Sequence, residues 1–277
     1  MRGSILSTTL LSLLPASVMA SCGHGLNFVH PRGATVTIPN FDYGTTTGPE
    51  NWHHIQESYM TCANGTHQSP ILLSSTNSTV SPPGSINLHI SPQKDVEFEN
   101  LGTNVEVVCN GTLEAVNTTW KLAQFHFHAP SEHRVDYGHY EAEMHFVFAA
   151  ADNSSRAAVL GFFIEVEKYN GTWLLESLFS HLPEIQTPGT ATTVPELDFG
   201  SFEAAANAQS YYSYMGSLTT PPCTEGVLWF IGTKPLSLKI ETYMALKNTV
   251  KTNNRFTQSY LGTTPVTGIL ETAAKGL

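Results

Sequence analysis

Two short runs in this 277-residue chain carry side chains suited to metal chemistry. Phe125-His126-Phe127-His128 alternates aromatic and imidazole residues, and Glu143-Met144-His145-Phe146-Val147 repeats the alternation. On a strand, alternate side chains share a face. Gln124, His126 and His128 then point one way, and Phe125 and Phe127 the other. In the second run Glu143, His145 and Val147 share a face, with Met144 and Phe146 turned toward a core. Gly138-His139 and its neighbours read as the turn between the two. If the strands pair antiparallel, three imidazoles meet one ion. Three neutral imidazoles with an open fourth position make a catalytic zinc site, whereas a closed structural site normally recruits thiolates. A lone H-x-H is more often an ordinary strand feature than a ligand pair. Here each run adds a polar companion two residues before a His, Gln124 and Glu143, placed to accept the second imidazole N–H. A buried Glu beside Met144 and Phe146 needs such a partner in any case. Metal binding is the better reading.

The elements that must position these residues are mainly strands. Strand-like runs cover residues 105–109, 120–128, 141–149, 159–166 and 227–232. Two helices are expected. Residues 172–181 space Leu174, Leu175, Leu178 and Phe179 helically, and Ser237 is placed to cap a helix reaching about residue 250. Residues 77–92, rich in Ser, Asn and Pro, read as surface loop. Strands with few helices between them argue an α+β class: one domain around a large, twisted, mostly antiparallel sheet with a few peripheral helices.

Composition sets the compartment and excludes partners. The formal charge of −10 disfavours nucleic acid and anionic membrane surfaces, while a small neutral substrate is indifferent to it. Arg2, a short apolar run over residues 5–14 and Val18-Met19-Ala20 form a secretory signal peptide over residues 1–20. That run is too short to span a membrane, and no later segment or tail reads as an anchor. Without Arg2, 12 basic residues face 23 acidic ones, a balance of −11. N-x-S/T sequons start at Asn64, Asn77, Asn110, Asn117, Asn153 and Asn170, the pattern of a glycoprotein. Cys22, Cys62, Cys109 and Cys223 are an even number suited to an oxidising compartment, with three possible connectivities. The chain then divides into the signal peptide, an N-terminal extension (21–40), a catalytic domain (41–265) and a tail (266–277). A secreted, extracellular monomer or homodimer is expected.

Taken in order, these motifs resemble the alpha-class carbonic anhydrases. Gln124-Phe125-His126-Phe127-His128 is followed by Pro130-Ser131-Glu132-His133, by Glu143-x-His145-x-Val147 and by Gly216-Ser217-Leu218-Thr219-Thr220-Pro221-Pro222. Gln68-Ser69-Pro70, Val159-Leu160-Gly161 and Tyr43-Gly44…Gly48-Pro49-Glu50-Asn51-Trp52 also match, so the similarity runs from about Phe41 to Gln258. The resemblance implies reversible hydration of carbon dioxide to bicarbonate, with Zn2+ as cofactor. His126, His128 and His145 would be its ligands, and Gln124 and Glu143 acceptors for His126 and His145. Thr219 would accept the proton of a zinc-bound hydroxide and donate its own to Glu132. Val147, Val159, Leu218, Thr220, Val227 and Trp229 would form the substrate pocket. Tyr43 and Thr103 would belong to the proton network, and Cys62 would pair with Cys223.

One position departs from the family pattern. Its fast members carry a His partway up the cleft, in a sequence like Asn-x-Gly-His. Here the stretch is Asn100-Leu101-Gly102-Thr103, and no His lies between His89 and His126. His53 and His54 are the nearest substitutes in the chain, with a plain surface role as their default. Slow proton export is therefore expected. Two rival readings are a carbonic-anhydrase-like binding domain with weak or no catalysis, and an esterase using the same nucleophile. The first usually implies a lost ligand, and all three His are present; the second fits as a weak side activity, since no H-E-x-x-H or G-x-S-x-G motif occurs.

Overall fold

A computed structural model describes residues 36–258 apart from Asn153. The expected signal peptide (1–20), Cys22 and the expected C-terminal tail (266–277) lie outside the described residues. The first strands are β1 (Leu72–Leu73), β2 (Val80–Ser81), β3 (Ile86–His89), β4 (Gln93–Asn100) and β5 (Val105–Val108). Then come β6 (Thr112–Ala115), β7 (Thr118–His128), β8 (Arg134–Val135), β9 (Ala142–Ala150) and β10 (Ala157–Glu167). The last are β11 (Ala191–Leu197), β12 (Tyr211–Ser217), β13 (Glu225–Gly232) and β14 (Leu236–Lys239). Among the described residues five short α-helices surround them: α1 (Trp52–Ile55), α2 (Thr61–Asn64), α3 (Trp173–Phe179), α4 (Gly200–Asn207) and α5 (Ile240–Val250).

Twelve strands form one sheet among the described residues, with a main path β11-β4-β5-β7-β9-β10-β13-β12-β2. Most pairs are antiparallel; β10 pairs parallel to β13 and to β14. The α+β class and the mostly antiparallel sheet stand as expected. The centre is the β7–β9 pair, whose register sets His126 opposite His145 and His128 opposite Glu143. That register slips between Leu122 and Gln124, which places a bulge at Ala123. A bulge inverts the alternation of a strand. Trp120 and Leu122 before it, and Phe125 and Phe127 after it, therefore all enter one core, with Met144, Phe146 and Phe148 of β9. Helices α3, α4 and α5 cover this core through Leu174, Leu178, Phe202, Leu246 and Val250. The opposite face carries a smaller apolar cluster that includes Val147, Val159, Leu218 and Trp229.

Two local expectations change. Ser237 does not cap α5: it lies in β14, paired with Glu165 of β10, and the helix begins after Lys239. Its backbone N–H donates to Thr172 Oγ1 and its carbonyl accepts from the Thr172 N–H, so it is tied to the start of α3 and has no helix end of α5 to serve. Residues 77–92 are not all loop, because β2 pairs β12 and β3 pairs β6. Ile86 and Leu88, buried on alternate positions, are what draw β3 into the sheet.

Candidate metal centre

The β7–β9 register brings the three predicted imidazoles together. One nitrogen from each of His126, His128 and His145 falls in a group whose atoms lie within 4.8 Å of one another. Ring centroids are 5.0 Å apart for His126–His128, 5.4 Å for His126–His145 and 4.8 Å for His128–His145. The remaining nitrogens are held from outside. His126 Nδ1 bonds Gln124 Oε1 at 2.8 Å, and His145 Nε2 bonds Glu143 Oε1 at 2.7 Å, as the spacing predicts. His128 Nδ1 donates to the backbone carbonyl of Asn253 at 2.7 Å. With the outer nitrogens committed, Nε2 of His126, Nε2 of His128 and Nδ1 of His145 are left to converge.

The donor set fits a zinc ion. His128 is fully buried and its Nε2 has no hydrogen-bond partner among the described residues, a costly arrangement for a polar atom unless something binds it. Burial, then the neighbouring rings of His128 and His145, hold His126 well below the usual imidazole range; burial chiefly lowers His128 too. Neutral imidazoles are the form that ligates.

Glu143 anchors more than its one predicted partner. Its Oε1 accepts from His133 Nδ1 at 2.7 Å as well as from His145, and its Oε2 takes the backbone N–H groups of Glu132 and His133 at 2.9 and 2.8 Å. Burial pushes this carboxyl up, but the charges and hydrogen bonds of His133 and His145 outweigh it and hold the group well below the carboxylate range. His133 Nε2 continues to the Tyr214 hydroxyl at 2.7 Å, and that hydroxyl to Ser69 Oγ at 2.7 Å.

Glu132 is fully buried beside the imidazoles. Its Oε1 accepts from the Arg255 backbone N–H at 2.8 Å; its Oε2 has no hydrogen-bond partner among the described residues and lies 3.5 Å from His128 Nε2. Thr219 lines the same cleft, yet no Thr219–Glu132 hydrogen bond joins them among the described residues.

His126 and His145 lie on the surface of that cleft, between two unlike sides. Val147 of β9, Val159 of β10, Trp229 of β13 and Leu218 form an apolar side, with Thr220 beside them. Thr103, Asn104, Glu106 and Gln124 supply the polar side, from β5, β7 and the turn before β5. Five of the six expected pocket residues therefore line this cleft. Val227 does not: it lies two residues before Trp229 on the same face of β13, buried in the apolar cluster opposite Ala157. Thr103 reaches the cleft, and its carbonyl accepts from Asn253 Nδ2 at 3.0 Å. Tyr43 stands outside the lining, edge-on to Trp52 at 5.6 Å; burial raises its phenol well above the usual range, with Glu132 adding and Arg255 opposing. His53 and His54 sit on α1 with ring centroids 3.8 Å apart and do not line the cleft.

Three residues that matter here carry no sequence signal. Asn253 holds His128 through its carbonyl, while its side chain bonds Ala129 N and the Thr103 and Phe127 carbonyls. Arg255 holds Glu132. Glu106 sits opposite His126 in the β5–β7 register, and Glu99 opposite Glu106 in the next pair. Both acids are about 1% exposed, and each has an oxygen without a hydrogen-bond partner among the described residues. Burial, then Glu99, raises Glu106 well above the carboxylate range; burial, then the charge and hydrogen bond of Glu97, raise Glu99 to about 7. The expected disulfide is present between Cys62 and Cys223, while Cys109 is buried in the core and pairs with no cysteine among the described residues.

Comparison with known proteins agrees. Residues 47–264 match the family model described as eukaryotic-type carbonic anhydrase. The structure of a fungal alpha carbonic anhydrase from Aspergillus oryzae is similar at 40% identity and a TM-score of 0.77, covering 86% of this chain and 100% of that one. A carbonic anhydrase of Klebsiella pneumoniae is 34% identical over 74% of this chain and 80% of its own. Carbonic anhydrase 6 of Homo sapiens is 33% identical over 69% and 68%.

Proposed function

Because the chain belongs to the eukaryotic-type carbonic anhydrase family, we propose that it hydrates carbon dioxide reversibly using a zinc ion held by His126, His128 and His145. The observation that carries this reading is the convergence of three buried imidazole nitrogens, one of them His128 Nε2 with no hydrogen-bond partner among the described residues. When bound there, zinc supplies the Lewis acidity that makes water a competent nucleophile near neutral pH, an effect for which carbonic anhydrase is itself the standard instance, with a water pKa of about 7.

The chain's residues do the rest. Gln124, Glu143 and the Asn253 carbonyl fix each imidazole's tautomer and tilt, as metal-bound imidazoles usually require. Glu132 is held by Arg255 on Oε1, which leaves Oε2 free to accept the Thr219 O–H. A threonine oxygen whose proton is committed in this way can only accept from the attacking water, and so turns a lone pair toward the substrate carbon. Carbon dioxide is uncharged and asks for no strong hydrogen bond. The side formed by Val147, Val159, Leu218 and Trp229 suits it, while Thr103, Gln124 and their neighbours keep the other side wet.

Proton export is the weak step, since the cleft lining holds no imidazole beyond His126 and His145 among the described residues. Secretion and glycosylation complete the reading. A disulfide is present, five sequon asparagines (Asn64, Asn77, Asn110, Asn117 and Asn170) are exposed, and no helix among the described residues is long and apolar enough to cross a membrane. Asn153 lies outside the described residues. The test is zinc analysis of the purified protein with a proton-release assay. About one zinc per chain and chelator-sensitive release are expected, both lost in His128→Ala; a zinc-free or inactive wild type contradicts the reading.

A further inference from the structure

Arg255 is a buried cation with no direct carboxylate ion pair among the described residues, which is expensive unless its donors are used. Three neutral oxygens accept from it: Nη2 donates to the Cys62 carbonyl at 2.8 Å, and Nη1 to the Ser69 carbonyl at 2.8 Å and to Gln68 Oε1 at 2.9 Å. The guanidinium also lies 5.7 Å from the Trp52 ring centroid. Gln68 carries the link onward, its Nε2 donating to the Cys223 carbonyl at 3.0 Å. The Cys62 and Cys223 carbonyls thus belong to the half-cystines of one disulfide. Cys223 in turn donates its N–H to the Thr220 carbonyl, one residue from Thr219. On its other side, the backbone of Arg255 gives its N–H to Glu132 Oε1. Fixing the side chain of residue 255 therefore fixes the donor that aims Glu132.

We propose that Arg255 is a positioning residue that ties the Cys62–Cys223 disulfide to Glu132, so that one crosslink holds Glu132 and the Thr219 turn in mutual register. The proposal rests on the roles given above to Glu132 and Thr219. Arg255 touches no substrate; it acts through the Glu132 carboxylate.

A double-mutant cycle of Arg255→Met with Glu132→Gln tests it, on zinc-loaded protein whose near-UV circular dichroism and zinc content match the wild type. Arg255→Met is expected to lower kcat/KM for carbon dioxide at least tenfold. Added to Glu132→Gln, it should cost less than a further twofold, because the group it aims is already lost. Gln68→Leu, which removes the bonds to Arg255 and to the Cys223 carbonyl together with one to Glu225, is the second variant if Arg255→Met does not fold, with the same non-additivity expected. A readout apart from turnover is the visible spectrum of the cobalt-substituted protein against pH. Its midpoint should move in Arg255→Met and in Glu132→Gln, and no further in the double variant. Additive losses, or an unchanged kcat/KM and spectral midpoint in the variant that folds, overturn the proposal. An inactive zinc-loaded wild type instead overturns the reading it rests on.

Discussion

At the scale of single residues, the proposed function makes Thr103 the limit on speed, and Gly161 lets β10 pack closely beside His145. An acid of pKa about 7 handing protons directly to water turns over at about 10³ per second. Thr103 lies on the cleft surface where a shuttling imidazole would serve. Thr103→His is predicted to raise kcat severalfold in dilute buffer while leaving kcat/KM unchanged. Concentrated imidazole buffer should raise wild-type kcat comparably; equal wild-type rates in dilute and concentrated buffer at fixed ionic strength contradict this. Gly161 faces His145 in the β9–β10 register. A Cβ there would stand 2.6 Å from Ile231 Cδ1, 3.4 Å from Glu143 Oε1 and 3.5 Å from His145 Cδ2. Gly161→Ala therefore has to displace the terminal methyl of Ile231, while Glu143 and His145 stay at ordinary contact distance. It should destabilise by roughly 1 kcal/mol and leave zinc retention unchanged, as read by thermal melts and chelator competition.

At the scale of elements, the bulge in β7 decides which face the imidazoles take. Deleting Ala123 is predicted to restore plain alternation, so that either the imidazoles or Trp120 and Leu122 end on the wrong face. Loss of zinc binding with a lowered melting temperature is expected; a variant that keeps full zinc stoichiometry contradicts the argument. The strands bearing the site were legible in the sequence because their alternation is strong, and β9 and β10 fall within two residues of their expected bounds. The bulge was not legible, since Ala123 is featureless and the parity change it causes shows only in the register. β2 and β3 hid in a Ser- and Pro-rich stretch because they are short and owe their place to pairing. Asn253 and Arg255 had no motif at all: they reach His128 and Glu132 from 125 and 123 residues away.

At the scale of the whole molecule, one crosslink and one acidic row set how the fold responds to its surroundings. The disulfide closes a sequence separation of 161 residues, which on the chain-entropy model is worth about 5 kcal/mol as an upper figure. Cys62→Ser with Cys223→Ser should lower the denaturant midpoint strongly and raise the m-value, because the denatured chain loses its crosslink. The acidic row gives a pH signature. An ordinary Glu titrates near 4.5, whereas burial, then Glu97, raise folded Glu99 to about 7. Between those values the unfolded chain sheds a proton that the folded one keeps. The associated stability is fully present below about pH 4.5 and lost as pH rises through 7, a ceiling of about 3 kcal/mol. Glu99→Gln should therefore gain stability over the wild type progressively from about pH 5 to 8. A constant difference across that range contradicts the assignment.

The central claim is that three buried imidazoles hold a zinc ion that hydrates carbon dioxide. Stopped-flow proton release on mixing the metal-analysed protein with carbon dioxide tests it most directly. The prediction is rapid, buffer-dependent release that disappears on removal of zinc, returns with stoichiometric zinc, and is absent from His128→Ala. Release that persists in the metal-free protein, or fails in protein carrying one zinc per chain, would contradict it.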